Sequence, residues 1–239
     1  MTIDQVDSLR EKLQQSFDGL VADCKRIQIG TKEQFPFGWR KAAKGRTVWR
    51  ILEELITQNL EVNYKKYGLS EITPSDSEVS IFDLECKVVD DDTPIYVNVK
   101  SAVLGGATNK DDISKGIGLR DFYEEDVNKI FFIGTFFISF HDDMYIEIDH
   151  VTVFPITWIE DIYINPSNNG NFQSKKYKNI DDAVKRTNAE FYKLLIGEIE
   201  FADRKSTAKD GDIIKDTEGN NIQKINKRWK KVDGDGKVN

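Results

Sequence analysis

Cysteine and histidine are scarce in this chain, two of each among 239 residues, and the scarcity closes off whole classes of chemistry. Cys24 and Cys86 show no paired metal-ligand spacing. They fall in a predicted helix and on the core-facing side of a predicted strand, so they read as reduced packing residues. His141 and His150 are too few for a zinc site or for a mechanism resting on several imidazoles, and His150 beside Asp149 reads as a satisfied surface or core histidine. No apolar run approaches the roughly 18 residues of a membrane span, and the amino terminus lacks the basic and apolar regions of a secretion signal. The expectation is a soluble, unsecreted protein with no membrane partner. No P-loop occurs, so nucleotide hydrolysis is not supported. Positive charge is in deficit as well: a formal charge of −7 and a pI near 5.1 argue against a general nucleic-acid coat protein. They leave room for an enzyme whose basic groups gather in a cleft.

What is present suffices for a full core, since 39% of residues are hydrophobic. The expected organisation is one domain over 1–202 and a polar appendage over 203–239, basic through Lys224, Lys227, Arg228, Lys230 and Lys231. The stretch from Ser80 to Lys100 organises the domain. Period-two alternation sends Phe82, Leu84, Cys86 and Val88 one way and Asp83, Glu85 and Lys87 the other. The run from Ile95 repeats the pattern, with Ile95, Val97 and Val99 toward the core and Tyr96, Asn98 and Lys100 opposite. Asp90 to Pro94 is a turn, so the two runs form an antiparallel hairpin with partner numbers summing to about 183. Asp83 then faces Lys100, and Glu85 faces Asn98. Carboxylates beside an ammonium suit a site that holds Mg²⁺ together with a substrate phosphate. The same pair also makes an ordinary solvated salt bridge, a contact contributing about 0–1 kcal/mol.

Around the hairpin, apolar spacing of three and four predicts a helix over 2–24 and a second over 47–67, with Thr47 as N-cap and Val48, Ile51, Leu52, Leu55 and Ile56 buried. Between them Arg40, Lys41, Lys44 and Arg46 form a basic stretch interleaved with turn residues, suited to phosphate contact or to plain solvation. Beyond Lys100, a glycine-rich loop containing Asn109, Lys110, Lys115 and Arg120 suits backbone approach to DNA. Ile130 to Phe140 reads as a strand buried on both faces in the middle of a sheet, and 145–159 supplies one or two more. A polar loop over 165–178 offers Asn171 and Gln173, which pair with adenine edges, and Lys175 and Lys176 for phosphates. A helix over 180–201 follows.

Asp83 followed on the next strand by Asn98-Val99-Lys100 resembles the PD-(D/E)XK nuclease superfamily. Two departures stand out: no Pro precedes Asp83, and Asn98 occupies the middle carboxylate position. The hairpin, the Gly-Ile-Gly segment before the hydrophobic strand and Ile164-Asn165-Pro166 together resemble type II restriction endonucleases of the SwaI-like kind. The resemblance implies an α+β fold with a central mixed β-sheet flanked by helices, a restriction-endonuclease-like core. It also implies a bacterial, cytoplasmic homodimer making Mg²⁺-dependent cuts in both strands of double-stranded DNA at a short site. In that reading Asp83, Asn98 and Glu85 surround the metal and Lys100 serves the attacking water. Glu85, Glu53 or Glu54 would supply the charge that Asn98 lacks. A catalytically impaired relative that still binds DNA, and an interaction domain with no nucleic-acid role, are the other readings.

Overall fold

The computed structural model describes residues 1–40, 44–77, 80–106 and 110–233, with the side chains of 44–47 excepted. In chain order the elements are α1 (Ile3–Asp23), β1 (Arg26–Gln28), α2 (Lys44–Asn63), β2 (Leu69–Pro74), β3 (Leu84–Val88), β4 (Ile95–Val103), β5 (Asp111–Lys115), α3 (Gly116–Glu125), β6 (Ile130–His141), β7 (Tyr145–Pro155), β8 (Ile164–Asn165), β9 (Asn171–Ser174), α4 (Asn188–Thr207), β10 (Ile213–Lys215), β11 (Asn221–Ile225) and β12 (Arg228–Lys231). Short 3₁₀ turns occupy Tyr64–Tyr67, Ile156–Trp158 and Ile180–Asp182. The chain divides into two compact units. The first comprises 1–109, 128–160 and 176–187, and the second 110–127, 161–175 and 188–239. No helix among the described residues is long and apolar enough to cross a membrane.

In the first unit, the apolar run of β6 is buried on both faces, as a strand lacking polar alternation must be. It lies inside a six-stranded sheet of order β1-β7-β6-β4-β3-β2. The β4–β6 pair is parallel and the other pairs are antiparallel, which makes the sheet mixed and the fold α+β. Helix α1 begins at a reciprocal cap: the Thr2 hydroxyl accepts from the Gln5 N–H at 3.2 Å, and the Gln5 side chain accepts from the Thr2 N–H at 2.9 Å. Its stripe of Val6, Leu9, Leu13, Phe17 and Leu20 is buried. Gln14 ties the helix to β7, donating to the Val151 carbonyl at 2.9 Å and accepting from the Val153 N–H at 2.8 Å. Gly134 permits the close approach, since a Cβ there would lie 2.7 Å from the Phe17 ring.

The β3–β4 hairpin pairs Leu84 with Val97, Glu85 with Tyr96 and Cys86 with Ile95. Partner numbers therefore sum to 181, a shift of two from the expected register. The chain reverses around Asp90, held at φ 63°, with the Asp91 N–H on the Val88 carbonyl at 3.2 Å, so the turn closes earlier than a reversal centred on 90–94. A shift by an even number leaves the side chains of the paired residues on their expected faces but changes their partners; Phe82, ahead of β3, departs from its expected core face, its ring lying 4.9 Å from that of Tyr96 on the cleft side. Asp83 is brought across from Asn98 instead of Lys100, and Glu85 is opposite Tyr96 instead of Asn98.

Other expectations also shift. Helix α2 starts at Lys44, so Thr47 lies within it instead of capping it, and its buried line is Val48, Leu52, Ile56 and Leu60 while Ile51 is exposed. In the second unit, the glycine-rich loop is largely β5 and α3. Gly116 opens α3 because its N–H donates to the Gly170 carbonyl at 3.0 Å, at a spacing where a Cβ would meet that oxygen at 2.8 Å. The polar loop over 165–178 is a β8–β9 hairpin, its turn made by Asn169 and Gly170 in the left-handed region and its strand anchored by fully buried Phe172. The last long helix starts at Asn188, not 180. The expected appendage contains a three-stranded antiparallel meander, β10-β11-β12, around buried Ile222 and Val232.

Gly134→Ala should lower stability by about 1–3 kcal/mol through overpacking against Phe17. A reduced urea midpoint with an unchanged slope is the expected result, and an unchanged midpoint would mean that α1 does not press on β6.

Candidate functional site

Asp83 stands in a bend immediately before β3, not yet paired as a strand. Its N–H donates to the Val97 carbonyl at 2.8 Å, and its carboxylate accepts from the Val99 N–H at 2.6 Å. Those two bonds straddle Asn98 and fix Asp83 opposite it. Asn98 is buried, and its amide donates to the Ile81 carbonyl at 2.9 Å, tying the approach to Asp83 down onto β4. Lys100 lies two residues along β4, on the same face by period two. The stretch of α2 from Trp49 to Asn59 completes a cleft of about 950 Å³ lined by Glu53, Asp83, Asn98 and Lys100, with Trp49 and Arg50 nearer the start of the helix.

Burial and like charge set the electrostatics. The Asp83 carboxyl is raised above the usual carboxylate range, chiefly by burial, with the Val99 N–H and Lys100 opposing. Glu53 is raised to about 7, first by burial and then by the negative charge of Asp83, with Lys100 and Arg50 pulling the other way. Two carboxylates in one half-buried cleft resist being charged together, and a cation between them would relieve both. Among the described residues no group of three or more His, Cys, Asp and Glu side chains gathers as a metal site. Two carboxylates with open space beside them fit the mode in which Mg²⁺ takes one or two protein carboxylates and completes its shell with substrate oxygen and water.

The expected site residues are thus partly brought together. Asp83, Asn98 and Lys100 share the cleft; Glu85 does not line it and stands between Thr73 and Tyr96 in the sheet. Of the two helix acids, Glu53 is the half-buried one, while Glu54 is exposed at the rim and accepts from Gln58 at 2.6 Å. Helical phase could have separated them, since Glu53 follows buried Leu52 around the helix only once the buried line is known to be 48, 52, 56 and 60.

The candidate DNA contacts fall in both units. Arg40 is exposed over the Phe37 ring at 5.1 Å. Lys41 and Asn109 lie outside the described residues, as do the side chains of Lys44 and Arg46. In the second unit Lys110 pairs with Asp161 at 3.3 Å and sits over the Tyr163 ring, and Lys115 is exposed before α3. Asn171 and Gln173 are on β9, where the Gln173 amide donates to Asp112 at 2.5 Å and accepts from Asn165 at 3.1 Å. Lys175 is exposed. In the first unit Lys176 is held between Glu160 at 3.6 Å and Asp182 at 3.4 Å.

No family model matches the chain, and no curated protein matches it. Among solved structures it is similar to NlaIV restriction endonuclease, with 15% sequence identity, 80% of this chain and 79% of that chain covered, and a TM-score of 0.47. The likeness is too distant to carry residue roles from one chain to the other.

The raised Glu53 carboxyl has a consequence for stability. Between its ordinary 4.5 and about 7, the folded protein holds a proton that the unfolded chain has released. That stabilisation is complete below 4.5 and is lost as pH rises through about 7. Glu53→Gln removes the titration, so its melting temperature should rise relative to the parent as pH increases from about 5 to about 8. A difference that stays flat across that window would mean that the Glu53 carboxyl is neither buried nor beside Asp83.

Proposed function

We propose that the protein is a restriction-type endodeoxyribonuclease that hydrolyses double-stranded DNA at a short sequence with Mg²⁺, acting as a homodimer. The observation that carries this reading is the convergence of Asp83, Glu53 and Lys100 in one cleft, with Asn98 beneath them. Asp83 and Glu53 would hold Mg²⁺, which when bound offsets charge on the scissile phosphate. Lys100, cationic beside two carboxylates, orients the attacking water and assists loss of its proton. The water oxygen bonds to phosphorus as the bond to the leaving sugar oxygen breaks; the water releases its proton to solvent and the leaving oxygen takes one up from solvent. Asn98 is a strut: by holding the Ile81 carbonyl it keeps Asp83 on the edge of β4.

A second reading, a DNA-binding relative that no longer cleaves, draws support from the amide at Asn98, where the superfamily pattern has an acid. Incubation of supercoiled and genomic DNA with the protein and Mg²⁺, followed by sequencing of the ends, separates the two. Discrete ends that vanish with a chelator are expected of the nuclease, and intact DNA with retained binding would establish the second reading. Lys100→Ala should abolish cleavage while sparing DNA affinity, because the ammonium serves the reaction more than docking.

Asn98→Asp provides a directional test. With Glu53 already present, the substitution loses the donor to Ile81 and adds a third acid to a half-buried cleft, so cleavage should fall by about tenfold or more, with Glu53→Gln severe and Glu85→Gln nearly silent. Faster cleavage by Asn98→Asp would instead make Asn98 the stand-in for a missing ligand.

A further inference from the structure

Trp49 and Arg50 stand on α2 four and three residues before Glu53, which places them on the same side of the helix, one turn toward its amino terminus. Both line the cleft that contains Asp83 and Lys100. The Arg50 guanidinium sits 4.6 Å from the centre of the Trp49 indole, while the ring remains 36% exposed. Unlike Lys110, Lys176 or Lys87, whose ammonium groups are matched to carboxylates, Arg50 makes no salt bridge among the described residues. A cation resting on an indole is held in plane with its N–H edge available, the arrangement that suits a phosphate oxygen. One helical turn advances about 5.4 Å, between one and two nucleotide steps at about 3.4 Å each.

We propose that Trp49 and Arg50 form a nucleotide subsite beside the reacting phosphate, Arg50 binding a flanking phosphate and the Trp49 indole packing on the sugar or base attached to it. The inference rests on the nuclease reading and deepens it by naming where the strand continues past the reaction centre. α2 then serves two purposes: Glu53 faces the chemistry, and the turn before it grips the DNA strand being cut. The neighbouring exposed Ile51 also lines the cleft and extends the same apolar rim.

The test measures binding of a fluorescein-labelled DNA duplex with Ca²⁺ replacing Mg²⁺, across a salt titration, for the parent and for Arg50→Gln, Trp49→Ala and Trp49→Phe. Arg50→Gln should flatten the slope of log affinity against log salt by about 0.9, the value of one phosphate contact. Trp49→Ala should weaken binding about tenfold with the slope unchanged, and Trp49→Phe should retain most of the affinity. Circular dichroism confirms that α2 persists in each variant. Parent-like slope for Arg50→Gln together with parent-like affinity for Trp49→Ala overturns the subsite while leaving the nuclease reading standing. Failure of the parent itself to bind or cut any DNA overturns both.

Discussion

The hydrogen bond from the Val99 N–H to the Asp83 carboxylate, 2.6 Å long, is the contact on which the site depends. A carboxylate that enters a sheet loses hydration, and one backbone donor restores part of what burial removes. The donor is available only because Asp83 lies just outside β3, where β4 runs on past the end of its pairing with that strand. Had pairing continued one residue further, the Val99 N–H would have been drawn into the ladder. The geometry of the cleft is therefore a consequence of where a hairpin stops. Behind it, β4 is locked in parallel register to β6 across nine residue pairs from Ile95–Ile130 to Val103–Ile138, and β6 in turn is pressed by α1 through the gap at Gly134. A tightly packed interior transmits such constraints without slack.

Much of the first unit was legible because burial imposes simple periods. Leu84, Cys86, Val88, Ile95, Val97 and Val99 are all buried, as alternation required, and the uniformly apolar 130–140 segment is a central strand. The register was not legible to the same precision, since it is fixed by turn geometry: Asp90 in the left-handed region closes the reversal early, which no alternation pattern records. The two-residue difference moved Glu85 out of contention and put Asn98 opposite Asp83. The choice between Glu53 and Glu54 stayed open for a related reason. Both Glu53 and Glu54 flank the stripe, and only the true buried line, extended by Leu60 and stripped of Ile51, says which of them turns inward.

The second unit hid behind polar composition. Its strands are short, and each is held by one or two apolar anchors such as Ile113, Phe172 and Ile222, surrounded by Asn, Gln, Lys and Asp that read as loop. Side-chain pairing does much of the remaining work there: the Asp112 carboxylate accepts from both Asn168 and Gln173, and Asp161 accepts from Ser174. Contacts of this kind join residues far apart in sequence, so local pattern cannot reveal them. The same reasoning tempers any use of the negative net charge. Lysines held against acids contribute little field, whereas Arg50 and Lys100 face an open cleft; local arrangement, not the total of −7, governs what an anion meets.

The neutral residue at position 98 and the acid at position 53 make sense as a pair. A cleft already containing Asp83 and Glu53 forces the latter to titrate near 7, at the limit of what lets both ionise in neutral solution. A third carboxylate at 98, buried and adjacent to Asp83, would push those values further up and leave the cleft partly protonated until a divalent cation arrived. An amide avoids that, and its N–H₂ group does something a carboxylate cannot: it donates to the Ile81 carbonyl, securing the backbone that presents Asp83. With one acid beside the strand and one on the helix, the cleft holds two carboxylates while position 98 acts as a structural brace. Asn98 in this light is a redistribution of charge and support between β4 and α2, coupled through the single cleft they share.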